Sequence, residues 1–416
     1  MKSILLSLSI GVVLPATAIS QDVQRVSLDD ALRTFAERNL ELRLARANAM
    51  EVVGLTRQVS AFPNPVAYAT HESLDANGLA LSETYIGVNQ EISWPWRQSA
   101  SGGAANHMAN AMQATVARDS LRLAFEVKQA FTRAGAAEER HVLVRRVRDV
   151  FRNVERAGSA RYQEGDISGY HLRRMRIELA RYETLAANET IDMRRARRTL
   201  ATLVLGNANG EELGPDGTLA GLPPRHPTNA EQLALQHRPE LDAARETALA
   251  TDQAAGFARA SRLPNPTLTG AYTTKTGGFK GFLFGLSWPV PLFDGHGQAV
   301  AASEARFERT IRQEELARQL VLADVRNALE TFDVVTTNAS VVGDRLLADY
   351  ETVLTIANAS YQEGEMSLIE LLDAAEAFWE AGRALIDMRS RAWIAYFDLE
   401  RAVGGFDTSA GDGDDR

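Results

Sequence analysis

The side chains that most often carry chemistry are scattered in this sequence. Seven histidines stand at 71, 107, 141, 171, 226, 237 and 296. They form no His-Glu-x-x-His and no metal-ligand spacing. Cysteine is absent, which removes disulfides and Cys-ligated metals. No phosphate-binding Gly loop appears, and Gly277-Gly278 and Gly295-His296-Gly297 read as turn glycines. The expectation is a protein that is not an enzyme and that takes no cofactor or metal. One carboxylate pair stands out. Glu370 and Asp373 are three apart and so share a helix face. They also lie just after Ser367, near a helix N-terminus, where acids are favoured in any case.

The element that positions this pair occurs twice. Ala160-Arg161-Tyr162-Gln163-Glu164-Gly165-Asp166-Ile167-Ser168 recurs 199 residues later as Ala359-Ser360-Tyr361-Gln362-Glu363-Gly364-Glu365-Met366-Ser367. Each copy interrupts a helical pattern with Gly, then offers Ser before another helical run. That is a helix stop, a turn and an N-cap. Two equivalent tips at this spacing imply a duplicated chain.

Proline placement marks the long elements. All 13 prolines fall outside residues 96–214 and 292–416. Proline inside a helix costs about 3 kcal/mol, so both windows are free to be long helices. Gln98–Ala157 and Gln298–Asn358 are expected to run ~90 Å at 1.5 Å per residue. In the second, Leu316, Leu320, Val325, Leu329, Phe332 and Val335 form an apolar stripe. The chain then returns along 168–205 and 367–403. Single helices are expected over 27–58, capped by Ser27, and over its counterpart 229–261.

Phe62-Pro63-Asn64-Pro65 and Leu263-Pro264-Asn265-Pro266 each end a helix and open extended chain. Val66–Leu74 and Leu79–Trp94 flank the turn Asp75-Ala76-Asn77-Gly78; Thr267–Lys275 and Phe279–Val290 flank Thr276-Gly277-Gly278. One face of the last run reads Phe282, Phe284, Leu286, Trp288 and Val290, and Ile86, Val88 and Ile92 share a face of the second. Strands of about ten residues with one apolar face and terminal aromatics fit a membrane β-barrel.

Composition sets the setting. The net charge of −9 lacks the basic footprint of a nucleic-acid binder. Lys2, the apolar Ile4 to Leu14, and Ala18-Ile19-Ser20 read as a signal peptide over 1–20. The first repeat spans 21–206, with a hairpin at 65–94 and a tip at 161–168. A Gly- and Pro-rich linker covers 207–228. The second repeat spans 229–405, with a hairpin at 266–292 and a tip at 360–367. A disordered acidic tail is expected over 406–416. Four strands are too few to close a membrane barrel, and open sheet edges are not tolerated in a bilayer. Copies of the chain must pool their strands, eight from a dimer or twelve from a trimer.

The signal peptide, the duplication, the paired Pro-Asn-Pro and the Tyr-x-x-Gly-x-x-Ser tips resemble the TolC-like outer-membrane efflux factors over residues 26–405. Ser-Trp-Pro-Val-Pro-Leu-Phe-Asp-Gly at 287–295 resembles that family's strand-to-helix exit. The resemblance implies a fold of mixed α and β, mostly α. The duplicated protomer would give four strands to a trimeric 12-stranded outer-membrane barrel, continuous with a long coiled-coil helical barrel in the periplasm. It implies an exit duct of a tripartite efflux system, with a periplasmic adaptor protein, an inner-membrane pump and outer-membrane lipid as partners. The substrate stays open between metal cations and small organic compounds. A type I protein-secretion duct and a periplasmic coiled-coil scaffold are the rival readings. On the matching positions, Tyr162, Gly165, Ser168, Gly364 and Ser367 would form adaptor-docking tips. Glu370, Asp373 and Tyr361 would line the pore at its gate. Tyr170 and His171 would line the gate from the first tip; His171, preceded by Tyr170, stands where the family often carries an acid in a gating contact, which makes the first tip a departure from the pattern.

Overall fold

The computed structural model describes residues 23–76, 79–206, 211–217 and 221–405. The expectations for 1–20 and 406–416, for Asn77-Gly78 and for parts of the linker fall outside these residues.

Each repeat is built from the same parts. In the first, α1 (Leu28–Arg38) and α2 (Leu40–Ser60) precede β2 (Val66–Ala76) and β3 (Leu79–Glu91). Then come the long α3 (Pro95–Gln163) and the returning α4 (Gly169–Leu205). In the second, α5 (Ala230–His237) and α6 (Pro239–Ala260) precede β5 (Thr267–Lys275) and β6 (Phe279–Ser287), followed by α7 (Gly297–Glu363) and α8 (Leu368–Val403). The proline-free windows hold uninterrupted helices of 69 and 67 residues, or ~100 Å each. Among the described residues no helix is long and apolar enough to cross a membrane.

Two expected single helices are broken. The 27–58 helix stops at Asn39, whose backbone is extended at φ −60° and ψ 125°. Asn39 caps α2 by accepting from Leu42 N–H at 2.9 Å, and its amide donates to Leu203 O at 2.9 Å. The counterpart stops at Arg238, where Pro239 occupies the first turn of α6. The break is tertiary in origin: in both repeats it receives the end of the returning helix. A Cβ at Gly206 would lie 2.5 Å from Arg38 O, and one at Gly404 would lie 2.7 Å from His237 O. Both glycines also close their helices at positive φ, 67° and 97°, a conformation that costs other residues ~1 kcal/mol or more.

The four long strands form one antiparallel sheet in the order β2-β3-β5-β6. Ile86 pairs with Tyr272, which pairs with Phe282; Val88 pairs with Gly270, which pairs with Phe284. Side chains alternate along a strand. One face therefore carries Ile86, Val88, Leu268, Tyr272, Phe282, Phe284 and Leu286. The other carries Tyr68, Thr70, Glu83, Tyr85, Asn89, Thr269 and Thr273. The strands end short of two expectations. β3 stops at Glu91 and Trp94 becomes the N-cap of α3, while Pro289 follows the end of β6 at Ser287 and has no N–H to give a ladder. Two short strands were not foreseen: β1 (Gln24–Val26) runs parallel to β4 (Leu213–Pro215), inside the stretch read as linker.

The helices pack as two hairpins side by side. α3 packs on α4, α7 on α8, and α3 joins the hairpins through α8. Near the tips Leu143, Val144, Val147, Phe151, Tyr182, Ala375, Phe378 and Trp379 form a shared core. Phe151 and Tyr182 stack with centroids 4.9 Å apart. On the expected α7 stripe, Val325 and Phe332 are buried in a core with Leu399 and Val403, whereas Leu316 and Leu320 are exposed.

Candidate functional site

The two tips share one backbone plan. α3 ends with Glu164 N–H donating to Ala160 O at 3.1 Å and Asp166 N–H to Arg161 O at 2.8 Å. α7 ends with Gly364 N–H donating to Tyr361 O at 3.2 Å and Glu365 N–H to Ser360 O at 2.9 Å. Gly165 and Gly364 take the left-handed conformation at φ 84° and 81°, which is what a helix stop of this kind asks of glycine. A Cβ built on either meets nothing within 4 Å, so both glycines face open space. Ser168 and Ser367 then cap the returning helices.

The side chains at the third helical position differ. The Ser367 hydroxyl accepts from Glu370 N–H at 3.3 Å, and Ser367 N–H donates to Glu370 Oε2 at 2.8 Å. This is a complete capping box. The Ser367 backbone N–H and hydroxyl hold the Glu370 carboxyl below the usual carboxylate value. In the first tip the equivalent residue is His171. The Ser168 hydroxyl accepts from His171 N–H at 3.4 Å and lies 3.0 Å from His171 Nδ1. Tyr170 is exposed, with its ring 5.9 Å from the His171 ring at an edge-on angle.

The tip tyrosines also diverge. Tyr162 is exposed and lies over Gly169, where a Cβ would sit 3.5 Å from its ring. Tyr361 packs against the core of Val154, Met175, Ala357, Leu368 and Leu371. Burial raises its phenol, against the pull of Arg161. The expected site residues therefore do fall at two neighbouring helix ends. Glu370 and Asp373 are both exposed, but Glu370 spends its carboxylate on its own helix terminus. Charge separates the tips as well. Exposed Arg173, Arg174 and Arg176 flank the first, while residues 354–375 around the second hold Glu363, Glu365, Glu370 and Asp373 and no Lys or Arg. Among the described residues no group of three or more His, Asp or Glu side chains is placed to hold a metal ion.

Sequence reasoning missed the residues that join the sheet to the helices. Asn265 is buried between the hairpins. Its amide donates to Glu91 Oε1 at 2.6 Å and its oxygen accepts from Trp94 N–H at 3.4 Å. Trp94 Nε1 donates to Pro264 O at 3.0 Å. The signal was there as a second repeat: Ser93-Trp94-Pro95 recurs as Ser287-Trp288-Pro289.

Residues 231–405 match the family model described as outer membrane efflux protein. Outer membrane protein OprJ of Pseudomonas aeruginosa is 29% identical over 182 residues, covering 41% of this chain and 38% of that protein. The cation efflux system protein CusC of Escherichia coli K12 is 28% identical over 187 residues, covering 42% of this chain and 40% of that protein. The match thus spans about two fifths of the length of these curated relatives. The fold likeness runs further. A crystal structure of a membrane protein from Pseudomonas aeruginosa superposes with a TM-score of 0.77 at 21% identity, covering 92% of this chain and 91% of that one. The resemblance expected over residues 26–405 is matched by the family model over the second repeat, 231–405, and in fold over 92% of the chain.

Proposed function

We infer that a chain with this resemblance to the TolC-like outer-membrane efflux factors works as the exit duct of a tripartite efflux system in the outer membrane. The observation that carries the reading is the sheet. Its apolar face leaves Phe282, Phe284 and Leu286 exposed at 75%, 85% and 67%. Leaving such side chains in water forgoes ~1.5–3 kcal/mol each. Its two edges, β2 and β6, have no partner strand within the sheet. Lipid would cover the face, and strands of further copies would cover the edges. Three copies supply twelve strands, within the range of even-numbered membrane barrels. The polar face then lines a water-filled lumen, and the helical hairpins extend the tube into the periplasm.

Transport through such a tube is passive, so a pump supplies the energy and most of the selectivity. An adaptor meets the tips at Tyr162, Gly165, Ser168, Gly364 and Ser367, where small exposed residues let a partner backbone come close. Glu370, Asp373 and Tyr361 of the second tip, with Tyr170 and His171 of the first, form the gate. Metal cations and small organic compounds are the two substrate classes, the first supported by the likeness to CusC, which is named for cation efflux.

The deciding experiment extracts the mature protein from membranes, runs it unheated and heated on a denaturing gel, and reconstitutes it in planar bilayers. A heat-dissociable trimer with discrete conductance steps is expected. A soluble monomer without conductance would overturn the reading.

A further inference from the structure

The apolar face of the sheet carries a groove and a charged rim. Paired residues form rungs that cross all four strands. Two rungs read Ala67-Val88-Gly270-Phe284 and Ala69-Ile86-Tyr272-Phe282. The small residues Ala67, Ala69 and Gly270 lie beside Val88, Tyr272 and Phe284, and they leave an open apolar groove of about 740 Å³. A Cβ built on Gly270 meets nothing within 4 Å, so its Cα faces open space. Tyr272 and Phe282 form the wall towards the turns, edge to face with centroids 5.6 Å apart.

The next rung towards the turns is polar throughout: His71, Thr84, Thr274 and Lys280. His71 Nδ1 lies 2.8 Å from Thr84 Oγ1. Lys280 is exposed and has no acid on its rung. Glu72, Glu83 and Glu91 lie on the opposite face, where Lys275 Nζ is 2.9 Å from Glu83. Asp75, the one acid on this face of the described strands, is in β2, at the other edge of the sheet. Lys280 also marks a boundary. It stands eight residues before Trp288, which clusters with Trp94 and Trp96 at the helix end of the sheet. That separation is ~27 Å of strand, or ~20 Å of depth at the tilt of membrane strands, against an apolar band of ~25 Å. In a barrel, Lys280 therefore stands at the headgroup layer of the leaflet remote from the helices.

We propose that each copy holds one phosphate-bearing anionic lipid on this face, with an acyl chain in the groove over Gly270 and the phosphate at Lys280. This rests on the reading of the sheet as part of an outer-membrane barrel. The ammonium offers three donors to phosphate oxygens, and the hydroxyl of Thr274, its rung partner, offers another. Charge selects the headgroup. An anionic one balances the lone lysine, whereas a zwitterionic one brings its own cation to a rung with no carboxylate to receive it. Apolar surface selects a lipid over a free ion. An acyl chain in the groove covers Val88 and Phe284, both exposed, which inorganic phosphate would leave bare.

The test titrates the full protein, extracted in detergent, with palmitoyl-oleoyl phosphatidylglycerol or with phosphatidylcholine of the same chains. Native mass spectrometry counts the lipids bound to each assembly. One phosphatidylglycerol per copy is expected, held about fivefold more tightly than phosphatidylcholine. Lys280→Gln should remove that preference and leave phosphatidylcholine unchanged, and Lys280→Arg should keep it. Gly270→Leu fills the groove and should weaken both lipids about threefold. The unheated gel and bilayer conductance check that each variant still assembles. Equal binding of the two lipids, a preference that survives Lys280→Gln, or one lost equally in Lys280→Arg would overturn the site while a conducting trimer leaves the duct standing. Unchanged lipid binding in Gly270→Leu would overturn the place of the chain. Inorganic phosphate that displaces phosphatidylglycerol at equal concentration would make this a free-ion site and overturn the lipid. A protein that is monomeric and non-conducting without any substitution would overturn both the site and the duct.

Discussion

Asn39 and Arg238 hold equivalent breaks in the two repeats, and each ties the break to the end of the returning helix with a different side chain. Asn39 donates one hydrogen bond to Leu203 O at 2.9 Å. Arg238 donates to Arg401 O and Ala402 O, both at 3.0 Å, and pairs with Asp324 at 3.0 Å and Glu240 at 2.9 Å. Both are 6% exposed. Here a short neutral side chain and a long charged one serve the same backbone geometry.

The two breaks should differ in cost when removed. Arg238→Ala leaves Asp324 to Arg401 alone, which holds both carboxylate oxygens at 3.0 and 3.1 Å, and leaves the Arg401 and Ala402 carbonyls at the end of α8 without the Arg238 donor. Hydrogen bonds to a charged group contribute about 1.5–3 kcal/mol each, and Arg238 gives several. Asn39→Ala loses a cap and one amide bond, about 1–2 kcal/mol. The temperature at which the assembled protein dissociates on an unheated gel series should fall in both variants, and further in Arg238→Ala. Equal shifts would contradict the assignment.

The ends of the elements were legible where they are local. Gly165, Gly364, Ser168 and Ser367 stop and start helices by their own chemistry, so the tips could be read directly. The proline-free windows set the long helices for the same reason. Asn39 was not legible as a break, because what stops the helix is Leu203 O, 164 residues away. The break at Arg238 did carry a local mark in Pro239. β1 and β4 pair across the repeat and are three residues each, too short for a pattern. At the site, Ser367 followed three residues on by Glu370 spells a capping box in the sequence itself, whereas a pore role for Glu370 and Asp373 rests on the family resemblance.

The capping box makes the second tip sensitive to acid. A folded-state pKa below the ordinary 4.5 of Glu370 means stability that is fully present above the unfolded value and is lost as pH falls through the folded value. Protection from amide exchange at Glu370 and Leu371, taken relative to the intrinsic rate at each pH, should therefore fall below about pH 4.5, with the Ser168 cap setting the comparison. Ser367→Ala should bring the same loss of protection at neutral pH by removing a cap of roughly 1 kcal/mol. A protection factor that is constant from pH 7 to 3 would rule the linkage out.

Bulk at the second tip should uncouple the duct from its partner. Gly364→Trp adds a large side chain where a Cβ meets open space, so assembly should survive. The left-handed backbone at φ 81° adds a strain of ~1–2 kcal/mol. Gly364→Asn carries little of that strain and little bulk, and it separates the two causes. Substrate efflux from cells should be lost with Trp and kept with Asn, both at normal trimer level on a gel. Full efflux in the Trp variant would remove Gly364 from the docking surface.

Asp373, rather than Glu370, should dominate the charge of the gate. Both carboxylates are exposed, but the Glu370 oxygen at 2.8 Å from Ser367 N–H is committed to its own helix start, which partly offsets its charge with the positive end of the helix dipole. Asp373 lies one turn further along α8, past that field. In a trimer it would place three uncommitted carboxylates around one axis, attracting cations within a Debye length of about 8–10 Å in ordinary salt. Asp373→Ala should therefore move the reversal potential of single channels in a salt gradient towards zero more than Glu370→Gln does, and high salt should shrink the difference. Equal effects of the two would mean that the cap does not tie up Glu370 in the assembled channel. No effect of either would place the selectivity of the duct away from the second tip, in the sheet lumen that carries Glu83 and Glu91.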